Sequence, residues 1–137
     1  MNHPFKIKYE NGKQFIFDVY RKKFVLLTPE EWVRQQIGYY LVTALHYPSI
    51  LISVEKQIKV GTKKRRYDMV VYKHDKPWMI IECKSEDQVL NEKVLSQLLS
   101  YNSTLDVSFL CITNGKEFFV YDIESKVWQQ KFPSYLA

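Results

Sequence analysis

Tyr67-Asp68-Met69-Val70-Val71-Tyr72-Lys73-His74-Asp75-Lys76-Pro77-Trp78-Met79-Ile80-Ile81-Glu82-Cys83-Lys84 is the stretch whose reading decides the fold. Two short runs rich in Val, Ile, Met and aromatic residues, Tyr67 to Tyr72 and Trp78 to Lys84, flank a polar segment that ends in proline. Such runs form strands, and such a connection closes an antiparallel hairpin. With the hairpin symmetric about Asp75, Tyr72 faces Trp78, Val70 faces Ile80 and Asp68 faces Glu82. Side chains alternate along a strand, so Glu82 and Lys84 share one face, Cys83 takes the other, and Asp68 lies on the face of Glu82.

Two carboxylates at cross-strand distance raise each other's pKa unless a cation lies between them. A hard divalent ion with oxygen ligands suits such a pair. Mg²⁺ fits best, because it needs few protein carboxylates and accepts phosphate and water for the rest, with Mn²⁺ as a substitute. Lys84 would then stand where it holds a phosphate oxygen or orients an attacking water. The competing reading is an ordinary strand-end ion pair of Asp68 and Lys84 with Glu82 solvated, since surface pairs of this kind are common and weak.

Working outward, a helix should precede the hairpin. Thr28-Pro29-Glu30-Glu31 supplies an N-cap, a proline at the first helical position and a capping-box glutamate. Val33, Ile37, Tyr40, Leu41, Ala44 and Leu45 give one apolar face to about His46, before Tyr47-Pro48 ends the helix. Ile50 to Val60 reads as a further strand. Downstream, a second helix from about Asn91 to Asn102 carries Leu90, Val94, Leu98, Tyr101 and Leu105 on a stripe. A strand from Ser108 to Thr113 follows, and Asn114-Gly115 turns the chain into another, Glu117 to Asp122. A helix between two strands makes a right-handed crossover between parallel neighbours, so the sheet should be mixed. At the start, Phe5 to Tyr9 and Gln14 to Tyr20 form a hairpin through Asn11-Gly12, expected to be peripheral.

Composition narrows the class. A chain of 137 residues is expected to be one domain, here 1–137 with a core at 21–122 and the hairpin at 1–20, and 46% hydrophobic content excludes a disordered segment. The charge of +5 favours polyanionic partners. No apolar stretch approaches the roughly 20 residues of a membrane span, and Met1-Asn2-His3-Pro4 lacks the hydrophobic segment of a signal peptide. Cys83 and Cys111 lie inside apolar runs without metal or disulfide spacing, so both should be reduced core residues in a cytoplasmic protein. His3, His46 and His74 are scattered and carry no triad.

Asp68, then Ile80-Ile81-Glu82-Cys83-Lys84, then Gln97-x-x-x-Tyr101 resembles the PD-(D/E)XK nuclease pattern. Leu27-Thr28-Pro29-Glu30-Glu31-Trp32-Val33-Arg34-Gln35 and Ile112-Thr113-Asn114-Gly115 further resemble the N-terminal nuclease domain of type I restriction enzyme R subunits. The likeness spans roughly Arg21 to Asp122, with Tyr67 in place of the proline of the superfamily's name. It implies an α/β, restriction-endonuclease-like three-layer fold with core order αβββαβ around a mixed central sheet.

It also implies Asp68, Glu82 and the carbonyl of Cys83 as ligands of Mg²⁺, Lys84 as the catalytic lysine, and Gln97 and Tyr101 orienting the site and contacting nucleic acid. Helix-sheet packing is the alternative for Tyr101. A further acid is expected on the first helix; Glu30 points into the apolar face and is chosen over Glu31, which falls off it and serves the capping box. For Glu30, the alternative is simple attraction to the helix dipole. Lys63-Lys64-Arg65-Arg66 would bind the phosphate backbone by counterion release, or else form a solvated turn. The activity implied is Mg²⁺-dependent endonucleolytic hydrolysis of nucleic acid, foremost DNA, in restriction or DNA processing. A catalytically silent nucleic-acid-binding or assembly module on the same fold is the alternative. A homodimer or a larger restriction-type assembly are the forms in which it would work; a motor would come from a partner, since the chain has no phosphate-binding glycine loop.

Overall fold

The structure is a computed structural model and describes residues 4–136; His3 lies outside them. Strands β1 (Ile7–Glu10) and β2 (Lys13–Asp18) pair through Asn11-Gly12, whose φ values of 54° and 76° are the left-handed ones a two-residue hairpin turn requires. A third strand absent from the sequence reading, β3 (Lys23–Leu26), completes a separate three-stranded sheet. At four residues it is too short to show an alternation pattern.

Helix α1 (Pro29–Thr43) begins where the cap signals place it, with the Thr28 hydroxyl accepting the Glu31 N–H at 3.0 Å. Val33, Ile37 and Leu41 form its buried face, whereas Tyr40 is exposed. The helix ends at Thr43, short of His46, which adopts a left-handed φ of 60°. After a 3-10 turn, Ser49–Leu51, come β4 (Ile52–Val60), β5 (Lys63–Lys73) and β6 (Lys76–Cys83), then α2 (Glu92–Tyr101), β7 (Phe109–Thr113), β8 (Phe118–Asp122) and β9 (Val127–Gln129). The last strand was also too short to be read beforehand.

These six strands form one mixed sheet in the order β4-β5-β6-β7-β8-β9, antiparallel except for β6 beside β7. Parallel neighbours need a long crossover, and α2 supplies it. Strand alternation then builds two cores. Met69, Val71, Met79, Ile81, Cys83 and Cys111 pack with Val33, Ile37 and Leu41 of α1. On the reverse face, Val70, Ile80, Leu110 and Ile112 pack with Leu98 of α2. The sheet is thus covered by one helix on each face, and both cysteines are buried free thiols. Among the described residues no helix is long and apolar enough to cross a membrane.

Two features of the central hairpin differ from the expected geometry. Its turn is only His74-Asp75, both left-handed, so Tyr72 faces Pro77 and not Trp78. A bulge beside Val71 and Tyr72 takes up Trp78 as the extra residue, and Val70 regains Ile80 as its partner. The second difference lies at the other end. Residues two apart on a strand share a face, yet Met69 packs on the α1 side and Tyr67 on the α2 side. The same exchange separates Val54 from Ile58 on β4. It falls at Glu55, whose φ is 51°, and at Asp68 opposite it, between the pairs Val54 with Met69 and Lys56 with Tyr67. The ribbon therefore rolls over at Asp68. The basic run is part of β5 and no turn at all.

Candidate active site

Asp68 sits where the ribbon rolls. It lies one residue beyond the pair Met69 with Ile81, where the β5–β6 ladder ends. Its carboxylate, however, turns back onto the strand and accepts the Cys83 N–H at 2.7 Å. It lines a cleft of about 290 Å³ on the α1 side, together with Arg34, Glu55, Glu30, Glu31 and Cys83. Burial pushes the Asp68 carboxyl above its ordinary range; the Cys83 N–H and Arg34 pull it down, while Glu82 and Glu55 push it further up.

Glu82 and Lys84 line a different cleft, of about 470 Å³ on the α2 side, where Gln97 and Tyr101 also lie. Lys84 Nζ stands 3.3 Å from Glu82, and both side chains are about one third exposed, at 32% and 38%. This corrects the expectation of three groups on one face. The Glu82–Lys84 pair and the Gln97–Tyr101 turn of α2 share a cleft, whereas Asp68 reaches the same strand end from the other side of the sheet. The cause is the roll at Glu55 and Asp68, which the alternation rule does not contain.

The acid on α1 also differs from expectation. Glu30 is exposed at the rim of the α1-side cleft, and Glu31 is the buried one, at 5% exposure. Its carboxylate does not close a capping box. It accepts from Arg21 at 2.9 Å, from Gln35 at 2.9 Å and from Arg34 through two nitrogens. Arg34 also reaches Glu55 at 2.5 Å, and Arg21 pairs with the fully buried Asp18. Burial works against the Arg34 charge, but its hydrogen bonds to Glu31 and Glu55 outweigh this and raise its pKa. This network of Asp18, Arg21, Glu31, Arg34 and Glu55 escaped the sequence reading. The available signal was Glu31-x-x-Arg34-Gln35, spaced to share one helix face.

Of the basic run, Lys63, Lys64 and Arg66 are exposed, and Arg65 lies 4.1 Å over the Tyr101 ring while donating to the Tyr101 carbonyl. Lys63 and Arg65 alternate with Lys64 and Arg66, so the run is divided between the two faces. Among the described residues no three His, Cys, Asp or Glu side chains cluster as metal ligands. Oxygen donors at the strand end are two carboxylates and the Cys83 carbonyl.

The profile of the type I restriction enzyme R protein N terminus (HSDR_N) matches residues 29–134, which include the whole lining of the α2-side cleft and, in the α1-side cleft, Glu30, Glu31, Arg34, Glu55, Asp68 and Cys83. The chain belongs to this family. Its fold is similar to a fragment described as an HsdR subunit of a type I restriction enzyme from Vibrio vulnificus YJ016, with a TM-score of 0.59 and 20% identity. That match covers 79% of this chain and 24% of the Vibrio chain, so the HSDR_N chain spans about a quarter of its length. A protein of Anabaena variabilis ATCC 29413, described as a nuclease belonging to DUF820, shares the fold at a TM-score of 0.50 and 14% identity, over 91% of this chain and 76% of the other. No curated protein matches the chain. The family places the chain with the N-terminal part of type I restriction enzyme R proteins, and both solved neighbours share its fold.

Proposed function

We propose that this HSDR_N chain is a metal-dependent endonuclease module that hydrolyses phosphodiester bonds in nucleic acid, foremost DNA, with Asp68, Glu82 and Lys84 as its catalytic groups. The observation that carries the reading is the Glu82–Lys84 pair at 3.3 Å in an open cleft, with the Asp68 carboxylate bound to the N–H of the intervening Cys83 at 2.7 Å. The donor chemistry fits Mg²⁺ or Mn²⁺: Asp68, Glu82 and the Cys83 carbonyl offer only hard oxygen atoms, and Lys84 leaves room for one net negative charge among the three side chains. When bound, such an ion supplies Lewis acidity to the scissile phosphate and lowers the pKa of a coordinated water.

The chain's own residues do the rest. Lys84 holds a phosphate oxygen and orients the water that attacks phosphorus as the bond to the leaving oxygen breaks, with no covalent intermediate. Gln97 lines the same cleft and positions Lys84 or the phosphate. Glu30, at the rim of the α1-side cleft, is the further acid near Asp68. Lys63, Lys64, Arg65 and Arg66 hold the backbone without reading sequence. Assembly as a homodimer or within a larger restriction-type complex in the cytoplasm belongs to the same proposal.

One observation favours a second reading, a nucleic-acid-binding or assembly module without turnover: Asp68 lines the α1-side cleft and spends one oxygen on the Cys83 N–H. Incubation of plasmid and short oligonucleotides with Mg²⁺ or Mn²⁺ separates the two. The expected result is metal-dependent cutting that falls by about 100-fold or more in Lys84→Ala, in line with loss of one group that stabilises transition-state charge. Equal rates for both proteins would remove Lys84 from the mechanism, and binding without cutting would favour the silent module.

A further inference from the structure

Four of the chain's five net positive charges precede residue 29, where the match to the family profile begins. Asp18 and Arg21 pair with each other, which leaves Lys6, Lys8, Lys13, Lys22 and Lys23, all exposed, against Glu10. The strand register sorts these charges. Ile16 faces Ile7 on one side and Val25 on the other, and Ile16 and Asp18 are fully buried, so this is the side of the small sheet turned to the protein. Lys8 faces Phe15, Phe15 faces Leu26, and Phe17 faces Phe24; these residues and Lys13 alternate with the buried ones and share the outward side. Phe15, Phe17 and Phe24 remain partly exposed there, and Leu26 is 45% exposed. Lys8 Nζ lies 4.5 Å over the Phe24 ring, whose centre is 5.3 Å from that of Phe17 in an edge-on contact. Lys8, Lys13, Phe15 and Phe24 line a hollow of about 350 Å³ with Glu10 and Asn11.

A ring that already carries an ammonium group over its face is a floor for lysine stems, not a stack for bases. Lysines held in this way meet phosphates as point charges, whatever the base. A duplex presents one phosphate per about 1.7 Å of its axis and is the form that such a face favours. The outward side also reaches the catalytic region, because Leu26, with Val25, lines the α1-side cleft beside Glu30 and Asp68. We infer that the outer face of the N-terminal sheet is a second anchoring surface for nucleic acid, on which Lys8 and Lys13 hold the backbone of a duplex that continues past Leu26 along the rim of the α1-side cleft. This rests on the nuclease reading for where the duplex leads but not for its binding, and so it is tested without metal.

The probe is a blunt duplex with a dye at one end, titrated by fluorescence anisotropy in EDTA over a series of salt concentrations. Log Kobs should fall linearly with log salt, and the double variant Lys8→Gln, Lys13→Gln should flatten the slope by about 1.8, two phosphate contacts at about 0.9 each. The double variant Lys126→Gln, Lys131→Gln removes the same charge from exposed positions flanking β9, at the opposite edge of the main sheet from β4, and should keep the wild-type slope. Glu10→Gln changes one exposed side chain and should tighten binding about fivefold at low salt, the effect of one charge at contact distance in water. It reads the face even where thermal melting shows the lysine variant to be unfolded. Equal flattening by the two double variants would reduce the effect to net charge and overturn the anchoring face. An unchanged slope in folded Lys8→Gln, Lys13→Gln, an unchanged affinity in Glu10→Gln, tighter binding of the single strand, or no binding of the duplex by the wild type would overturn it as well. The metal-dependent plasmid assay decides the catalytic reading separately.

Discussion

Arg34→Ala is expected to lower the folding stability by about 3–5 kcal/mol, the range seen when one partner is removed from a buried ion pair. Arg34 is only 6% exposed and binds Glu31 through two nitrogens and Glu55 through a third. Without it, Glu31 keeps Arg21 and Gln35, but Glu55 keeps, among the described residues, only Arg66 at 3.8 Å, and the Asp68 carboxyl loses the positive charge that pulls it down. Of the carboxylates left behind, Glu55 is already held in a left-handed backbone conformation. Arg34→Lys should recover part of the loss, because a lysine keeps the charge but not the planar fork that spans two carboxylates. Urea unfolding at neutral pH measures both variants. A loss below about 1 kcal/mol for Arg34→Ala would mean that the network contributes no more than a surface pair.

Asp68→Asn is expected to act in opposite directions on stability and activity. Burial pushes the Asp68 carboxyl up, and the folded state therefore keeps its proton to a higher pH than the unfolded chain does. Stability from this group is present at acid pH and is lost as pH rises from the ordinary carboxylate value through the raised one, so at neutral pH the ionised form costs stability. Asparagine carries no charge and still offers an oxygen to the Cys83 N–H. The variant should melt at a higher temperature than the wild type at pH 7, with the gap closing as pH is lowered through the carboxylate range. Metal-dependent cutting should at the same time fall by about 100-fold or more. A lower melting temperature at pH 7 would assign Asp68 to holding the fold instead.

Much of this architecture was legible because short-range rules and tertiary packing agree. Thr28 and Asn91 both cap their helices as their chemistry demands, Asn91 by accepting the Val94 N–H at 3.0 Å. The apolar runs around Val70 and Ile80 are buried on both faces of a sheet and could hardly be anything but central strands. The site was legible only in part, for two physical reasons. A left-handed φ at a glutamate leaves no mark in the sequence, so the roll at Glu55 that parts Asp68 from the face of Glu82 could not be counted from alternation. A buried charge is likewise invisible until its partners are known. Glu31 looked solvent-facing because Arg21 and Arg34, which make its burial tolerable, come from elsewhere in the chain or from a helix face read as polar.

Uptake of a divalent cation at the strand end bearing Asp68 and Glu82 decides between the catalytic and the silent module. Calorimetric titration of Mn²⁺ or Mg²⁺ into the wild type and into Asp68→Ala measures this without reference to turnover. One saturable site in the wild type that vanishes in the variant is the predicted result. Identical heats for the two proteins, or none in either, would contradict it.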